Sequence, residues 1–149
     1  MDFFDEIADG AAAESSVWGS ALMPSHEREL VAVFSPLAPP ELALGIETVY
    51  EAYLTHYGTP RLFKAGDVDE TILLGDYLYA HGLVRIAEVG GVRAVAVLAE
   101  LISRCAALRA DGAIGDGEAW VDAVRALGGS PGDDEIERAL ARHCVRVAA

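Results

Sequence analysis

The feature that most constrains the fold is the stretch Thr71–Val89, which reads TILLGDYLYAHGLVRIAEV. It contains no proline, and almost every position is apolar. Apolar residues at this density, without the alternation of a strand, predict a long helix that is buried over much of its surface. The exceptions to the apolar pattern are Asp76, His81, Arg85 and Glu88.

Asp76 and two glycines predict close packing around this helix. On a helical wheel Asp76 lies opposite the other charged residues, on the apolar side. We expect its carboxylate to be buried and paired with Arg61, Lys64, a backbone amide or a helix across an interface, because an unpaired buried charge is costly. Gly75 and Gly82 are two turns apart on one face. Glycine within a helix costs about 1 kcal/mol relative to alanine, so we expect another element to approach closely there.

Composition limits the classes of protein to which the chain can belong. Its 149 residues suit one domain with a substantial core, and 52% of them are hydrophobic. No uncharged apolar run of about eighteen residues occurs, so no transmembrane segment is predicted. A formal net charge of -13 argues against nucleic acid as a partner. The acidic start lacks the features of a signal peptide and predicts a cytoplasmic location.

The segments before residue 71 predict an arm and two helices. Residues 1–24 are expected to form an N-terminal arm, a short helix or loosely ordered segment whose aromatic side chains dock on the body. Pro24-Ser25 indicates the N-cap of a short helix that ends before Pro36. Pro39-Pro40 opens a second helix, which runs to Tyr57 and ends at Gly58. A loop follows.

The segments after residue 89 predict three more helices. Gly90-Gly91 breaks the long helix, and Val92–Arg109 is expected to return beside it as an antiparallel hairpin. Shorter helices are predicted over residues 118–127 and 134–147. No segment alternates as a strand would. The predicted class is all-α, with residues 25–149 forming a single helical domain.

The segment at residues 58–80, GTPRLFKAGDVDETILLGDYLYA, carries the pattern of a known family. It resembles the trans-isoprenyl diphosphate synthases, in which an RRGxP loop precedes a helix with the sequence GDYLLA. LLGDYLYA matches the helix, while Gly58 and Pro60 match the loop. The resemblance covers roughly residues 42–112 and implies a partial isoprenoid-synthase-like helical bundle with a central antiparallel hairpin of buried helices.

The resemblance implies that the metal motif of the family is degenerate here. The aspartate-rich DDxxD motif falls on residues 47–51, where Glu47 and Glu51 keep carboxylates and Thr48 replaces one. In the family this motif holds Mg²⁺ ions that help to ionise an allylic diphosphate. The second aspartate-rich motif has no counterpart. We therefore expect no metal site and no cofactor, with Mg²⁺ needed only if activity remains.

The diphosphate-binding loop is also degenerate by this resemblance. It falls on His56, Tyr57, Gly58 and Pro60, and His56 and Tyr57 stand where the family has arginines. No catalytic residue is expected. These losses are similar to those of the small, non-catalytic subunit of heterodimeric polyprenyl (heptaprenyl) diphosphate synthases.

The predicted function is protein–protein contact, either as a homodimer or as an accessory chain of a polyprenyl diphosphate synthase. The high apolar content supports a covered surface. In the family, the GDYLLA helix and its successor form the subunit interface. The interface residues expected from this resemblance are Gly75, Asp76, Leu78, Gly82, Leu83, Ile86, Leu98, Leu101 and Ile102.

Three alternatives remain open at this point. The bundle could bind an isoprenoid or quinone tail in a slot lined by Tyr50, Tyr53 and Leu54. It could be an accessory subunit of a larger quinone-linked assembly. It could also be a residual Mg²⁺-dependent prenyltransferase that uses Glu47 and Glu51.

Other residue types give no catalytic or metal-binding pattern. The four histidines are scattered without acidic or cysteine neighbours at ligand spacing. The serines lie in no hydrolase motif. Cys105 and Cys144 have no CxxC spacing, and we expect buried free thiols.

Overall fold

The computed structural model describes residues 2–64 and 66–148, which form six α-helices and no β-strand. Short 3₁₀ turns occur at Ser25–Glu27, Ser35–Leu37 and Pro40–Leu42. The predicted all-α class is confirmed. No helix in this part of the chain combines the length and apolarity needed to cross a bilayer. The helices are α1 (Phe3–Glu14), α2 (Ser16–Ala21), α3 (Ala43–Tyr57), α4 (Val68–Ala110), α5 (Asp116–Ala126) and α6 (Asp133–Val147).

Helix α3 lies at the centre of the fold. Every residue from Gly45 to Thr55 is buried, because the sequence GIETVYEAYLT places apolar groups on all sides of the helix. Such a helix needs neighbours around its whole circumference, and α1, α4, α6 and the 3₁₀ turn Ser35–Leu37 supply them. The most enclosed helix is therefore α3 and not the stretch Thr71–Val89.

Helix α4 is a hairpin broken at Gly91, whose φ of 69° and ψ of -166° are not helical. The first half, residues 68–90, runs antiparallel to α3, since its end lies beside Gly45 and its start beside His56. The second half, residues 92–110, runs parallel to α3 and ends with Arg109 over the Tyr57 ring. The predicted antiparallel hairpin is present, and α3 packs against one side of it.

Two hydrophobic clusters hold the helices together. The larger cluster joins α3 to α4, α5 and α6 around the stacked rings of Phe34 and Trp120. The smaller cluster joins α1 to the start of α4 and includes Phe4 and Ile7, which are at most 3% exposed. The residues predicted as an arm thus contribute two fully enclosed side chains to the core.

The helix predicted over residues 25–35 is wrong. Within this segment Ser25–Glu27 forms a 3₁₀ turn, and the chain from Arg28 to Phe34 is irregular. The reason is competition from tertiary hydrogen bonds: the backbone N–H groups of Val33 and Ser35 donate to the Glu47 carboxylate. Buried donors must be satisfied, and here a side chain replaces the helical acceptors.

The expectation of two buried thiols is half wrong. Both cysteines are free, and Cys105 is buried, but Cys144 is exposed. Its helix, α6, turns Ala139, His143 and Arg146 toward the core. That face is displaced by one residue from the apolar series Ile136, Leu140, Cys144 and Val147, because α6 packs through polar contacts as well as apolar ones.

The close approach expected at the α4 glycines is made by α3. A Cβ on Gly82 would lie 2.6 Å from Cγ2 of Val49 and 3.1 Å from its backbone nitrogen. One on Gly75 would lie 2.5 Å from Nε2 of His56. The two glycines therefore allow α4 to contact α3 at nearly backbone distance.

Replacing Gly82 by alanine should lower the free energy of unfolding by about 1–3 kcal/mol, because overpacking against the Val49 backbone exceeds the gain in helix propensity. Urea denaturation measures the change. Gly19→Ala is the control, since its Cβ would meet Ala12 at an ordinary 3.6 Å. A Gly82→Ala protein as stable as the control would show that the helices separate without cost.

Candidate functional site

The two carboxylates retained from the metal motif form a buried ion cluster with Arg61. Glu47, Glu51 and Arg61 are each 0% exposed. The Arg61 guanidinium donates to Oε2 of Glu47 and, at 3.0 Å, to Oε1 of Glu51. Backbone N–H groups complete the cluster: those of Val33 and Ser35 donate to Oε1 of Glu47, and that of Leu62 donates to Oε2 of Glu51 at 2.8 Å.

This cluster does not fit a Mg²⁺ site. Mg²⁺ needs carboxylate oxygens and several bound waters, whereas all four oxygens of Glu47 and Glu51 accept hydrogen bonds from the protein. Thr48 is engaged elsewhere, accepting from Nη1 of Arg85 at 2.8 Å. Nowhere in the described residues do three or more His, Cys, Asp or Glu side chains gather in a way that could hold a metal.

The diphosphate-loop positions lie against α6. The backbone oxygens of Thr59 and Pro60 accept hydrogen bonds from Arg146 at 2.7 and 3.1 Å. Gly58 is required there, since a Cβ would lie 2.7 Å from the Arg146 backbone oxygen. Arg146 also pairs with Glu29. The loop thus holds a cation whose donors are already used by the protein.

The other two loop positions pack on α4. His56 stacks on Tyr79 with ring centroids 5.2 Å apart, and its Nε2 lies 3.3 Å from Asp76. Tyr57 lies under the Arg109 guanidinium at 5.3 Å. Neither position offers a cation free to bind a diphosphate.

Asp76 is exposed within the described chain, so the expected pairing with Arg61, Lys64 or a backbone amide is wrong, whereas the expected pairing with a helix across an interface is not tested. Its side chain is 64% exposed, and its partner is His56 instead of Arg61 or Lys64. Among residues 2–64 and 66–148, no other element covers the side of the helix on which Asp76 lies. An apolar face on a helical wheel was therefore mistaken for a buried one.

The nine residues predicted as an interface fall into two groups. Six are buried inside the chain itself, where they pack on α3 and α5: Gly75, Leu78, Gly82, Ile86, Leu98 and Leu101. The other three reach the surface. Asp76 is exposed, and Leu83 and Ile102 are half-buried and pack against the larger hydrophobic cluster.

The side of the α4 hairpin that faces away from α3 is an almost uncharged surface. We call this surface the outer face of α4. Its members are aliphatic apart from Asp76 and Ser103, and the exposed carboxylates of Asp69, Glu88 and Glu100 lie along its borders. Its exposed members are Leu73, Asp76, Ala80, Val84, Ala87, Val92, Ala96, Ala99, Ser103, Ala106 and Ala110.

A polar network links α3, α4 and α5. Tyr53 donates to Oδ2 of Asp116, to which Nε of Arg109 also donates at 2.7 Å. Nη2 of Arg109 donates to the Tyr53 hydroxyl at 2.9 Å. Burial, reinforced by the hydrogen bond to Asp116, raises the pKa of Tyr53, so the phenol remains a neutral donor.

His143 joins α6 to α3 beside this network. The Tyr50 hydroxyl lies 2.8 Å from Nδ1 of His143. Because the phenol has no other hydrogen-bond partner among the described residues, we assign it as the donor and Nδ1 as the acceptor. The pKa of His143 is lowered to about 4, mainly by burial. The negative charge of Asp116 opposes this shift, and the positive charge of Arg109 adds to it. The imidazole is therefore neutral at pH 7, and with Nδ1 as acceptor its proton lies on Nε2.

Sequence reasoning missed the residues that organise these contacts: Arg61, Arg109, Asp116, His143 and Arg146. One signal was available, because two glutamates four residues apart in a helix apolar all round require an internal cation. From the sequence, Arg61 is named as a partner of Asp76 and not of these glutamates. Nothing in the sequence pairs Arg146 with the loop at residues 58–60, since 86 residues separate Arg146 from Pro60.

The chain matches no protein-family model, no curated protein and no solved structure. The resemblance to isoprenyl diphosphate synthases therefore stays a prediction. Three features of the structure bear on function: the buried ion cluster, the outer face of α4 and the polar groups around His143.

Replacing Arg61 by methionine should lower the free energy of unfolding by about 3–5 kcal/mol, because two buried carboxylates lose their counterion. Chemical denaturation at pH 7 measures the loss. Lys64→Met removes an exposed cation from the same loop and should change stability by less than about 0.5 kcal/mol. Equal stability of the two variants would contradict a structural role for the cluster.

Stability should fall as the pH is lowered from 6.5 toward 4, because the unfolded chain protonates at His143 before the folded chain does. With the folded pKa at about 4, this one group contributes up to about 3 kcal/mol of the loss. Urea denaturation of His143→Gln at several pH values should show a shallower pH dependence. His26→Gln, which alters an imidazole that is 82% exposed, is the control and should keep the wild-type slope.

Proposed function

We propose that the chain is a non-catalytic helical subunit that acts by protein–protein contact, forming a homodimer through the outer face of α4. The observation that carries the proposal is the largely aliphatic set of exposed side chains on that face, where Asp76 is the ionisable group and the other charges lie along the borders. The state of Glu47 and Glu51 supports the non-catalytic part. Both carboxylates are committed to Arg61 and leave no oxygen for a metal.

Helix packing supports an interface at the outer face. Most of its residues are alanines, which let a second helix pair approach closely, and Leu73, Val84 and Val92 add larger apolar side chains. The largest apolar patch on a typical monomeric protein covers about 300–600 Å² and is often a functional contact site. Covering this face would remove apolar surface from water without burying unpaired charge.

The dimensions of the face suit a dimer. Two neighbouring helices of this length give a surface about 30 Å long and about 20 Å wide, roughly 600 Å² per copy, which approaches the ~800 Å² per partner of a standard interface. A hairpin face of this kind is flat and can contact itself about a two-fold axis.

Charge favours a second copy of the chain through this face. The whole chain carries a formal net charge of -13, so two copies that meet through an average surface repel each other. The outer face avoids this repulsion. Its border with α5 carries both signs, Arg93 and Glu100, which a two-fold arrangement can place in mutually favourable positions.

The alternative of a slot for an isoprenoid or quinone tail receives less support. Tyr50, Tyr53 and Leu54, which were expected to line it, are each at most 1% exposed and pack among the aromatic rings of the core. An open slot between α3 and α4 would require these rings to separate.

Size-exclusion chromatography with light scattering tests the proposal. The wild-type chain should elute at micromolar concentration with a mass of twice 15.7 kDa. Ala96→Arg places a charge on the outer face in both copies and should shift the mass to that of the monomer. Ala141→Arg, at an exposed position of α6, introduces the same group elsewhere and should leave the dimer intact.

Circular dichroism of both variants should match the wild type, since neither alanine is buried. A wild-type chain that remains monomeric at high micromolar concentration would rule out the homodimer. A dimer equally resistant to both substitutions would move the interface away from α4.

A further inference from the structure

The largest cleft described in the structure lies away from the outer face of α4. It has a volume of about 640 Å³ and opens between the turn after α4, the start of α5 and one side of α6. Its walls include Ile114, which is 95% exposed, and the half-buried Leu140 and Val147. Such a volume and apolar lining suit a small molecule, since ligand sites are concave and largely apolar with a few placed polar groups.

His143 places a hydrogen-bond donor in this cleft. The residue lines the cleft and is 4% exposed. Its Nδ1 is used by the Tyr50 hydroxyl, so Nε2 carries the proton. Within residues 2–64 and 66–148 no atom accepts from Nε2, and Nε2 is not among the fully enclosed polar atoms. Nε2 is therefore open to solvent in the cleft, and a ligand that displaces water from it loses affinity unless the ligand supplies an acceptor of its own.

Charge in the cleft excludes most anions. Arg109 lines it, but its guanidinium is neutralised by Asp116. Glu118 also lines the cleft, and no cation pairs with it within the part of the chain that the structure describes. The three groups sum to a negative charge, in a chain whose formal net charge is -13. A carboxylate or phosphate is therefore repelled, whereas a neutral acceptor is not.

We infer that the cleft bounded by residues 113–118 and α6 binds a neutral, largely apolar small molecule that carries a carbonyl oxygen. The oxygen accepts the hydrogen bond from Nε2 of His143, and the apolar body of the ligand lies against Ile114, Leu140 and Val147. The site is separate from the outer face of α4. A failure of ligand binding and a failure of dimerisation are therefore distinguishable.

Two probes of nearly equal shape test the role of the carbonyl. 4-Phenyl-2-butanone has a carbonyl group where butylbenzene has a methylene. Each is titrated into the full chain at pH 7 and followed by amide and histidine-ring NMR. The ketone should bind about two- to tenfold more tightly, the range expected for one added hydrogen bond. Its shift changes should fall on residues 113–118, on α6 and on the His143 ring.

Two variants locate the site. Ile114→Asp alters a wall residue that is 95% exposed, so it should fold normally and weaken both probes several-fold. Val145→Asp, at a position of α6 that is 71% exposed and outside the cleft lining, is the matched control and should bind both probes as the wild type does. His143→Phe should abolish the preference for the ketone while retaining binding of butylbenzene.

Three results would overturn the inference. Equal affinity for ketone and hydrocarbon would show that Nε2 donates no hydrogen bond to the ligand. Shift changes confined to another surface would show that the ligand does not bind in the cleft. Unchanged binding in Ile114→Asp would show that its apolar wall does not contact the ligand. The dimer mass measured by light scattering serves as an independent readout, and none of these results depends on it.

Discussion

The rest of the structure depends on the buried guanidinium of Arg61. It sits between Glu47 and Glu51 on the central helix, donates to the Val31 backbone oxygen, and lies 4.8 Å from the centre of the Phe4 ring. Burying three charges is costly unless every one is paired and hydrogen-bonded. Because of that requirement, α1, the irregular segment before α3 and the loop after α3 all pack around the Arg61 guanidinium.

Helix α3 and helix α5 pack on α4 and leave one side of the hairpin exposed. Its inward glycines and leucines contact α3, and its outward alanines and valines remain exposed. The same helix therefore stabilises one chain and presents a surface to another. On another side of α3, Tyr50 and Tyr53 hydrogen-bond to His143 and Asp116, which line a cleft beside α5 and α6.

Local patterns in the sequence were enough for much of the fold. The all-α class, the α3 terminus at Gly58, the break at Gly91 and the close approach at Gly82 all follow from residue spacing and from the backbone freedom of glycine. The failures were not local. The helix expected at residues 25–35 lost to hydrogen bonds with Glu47, and Asp76 was placed in the core because a wheel shows which face is apolar but not which face is covered.

The sequence by itself determined that the segments of α3 to α6 are helical, where they end to within a few residues and that they pack closely, because these properties depend on neighbours near in the chain. Only the tertiary structure decided what the charged groups do. Glu47 and Glu51 meet Arg61 instead of a metal, and Arg146 reaches the loop at residue 60 from the end of the chain. Such pairings depend on how whole helices dock, and helix docking is set by the shape of the assembled core.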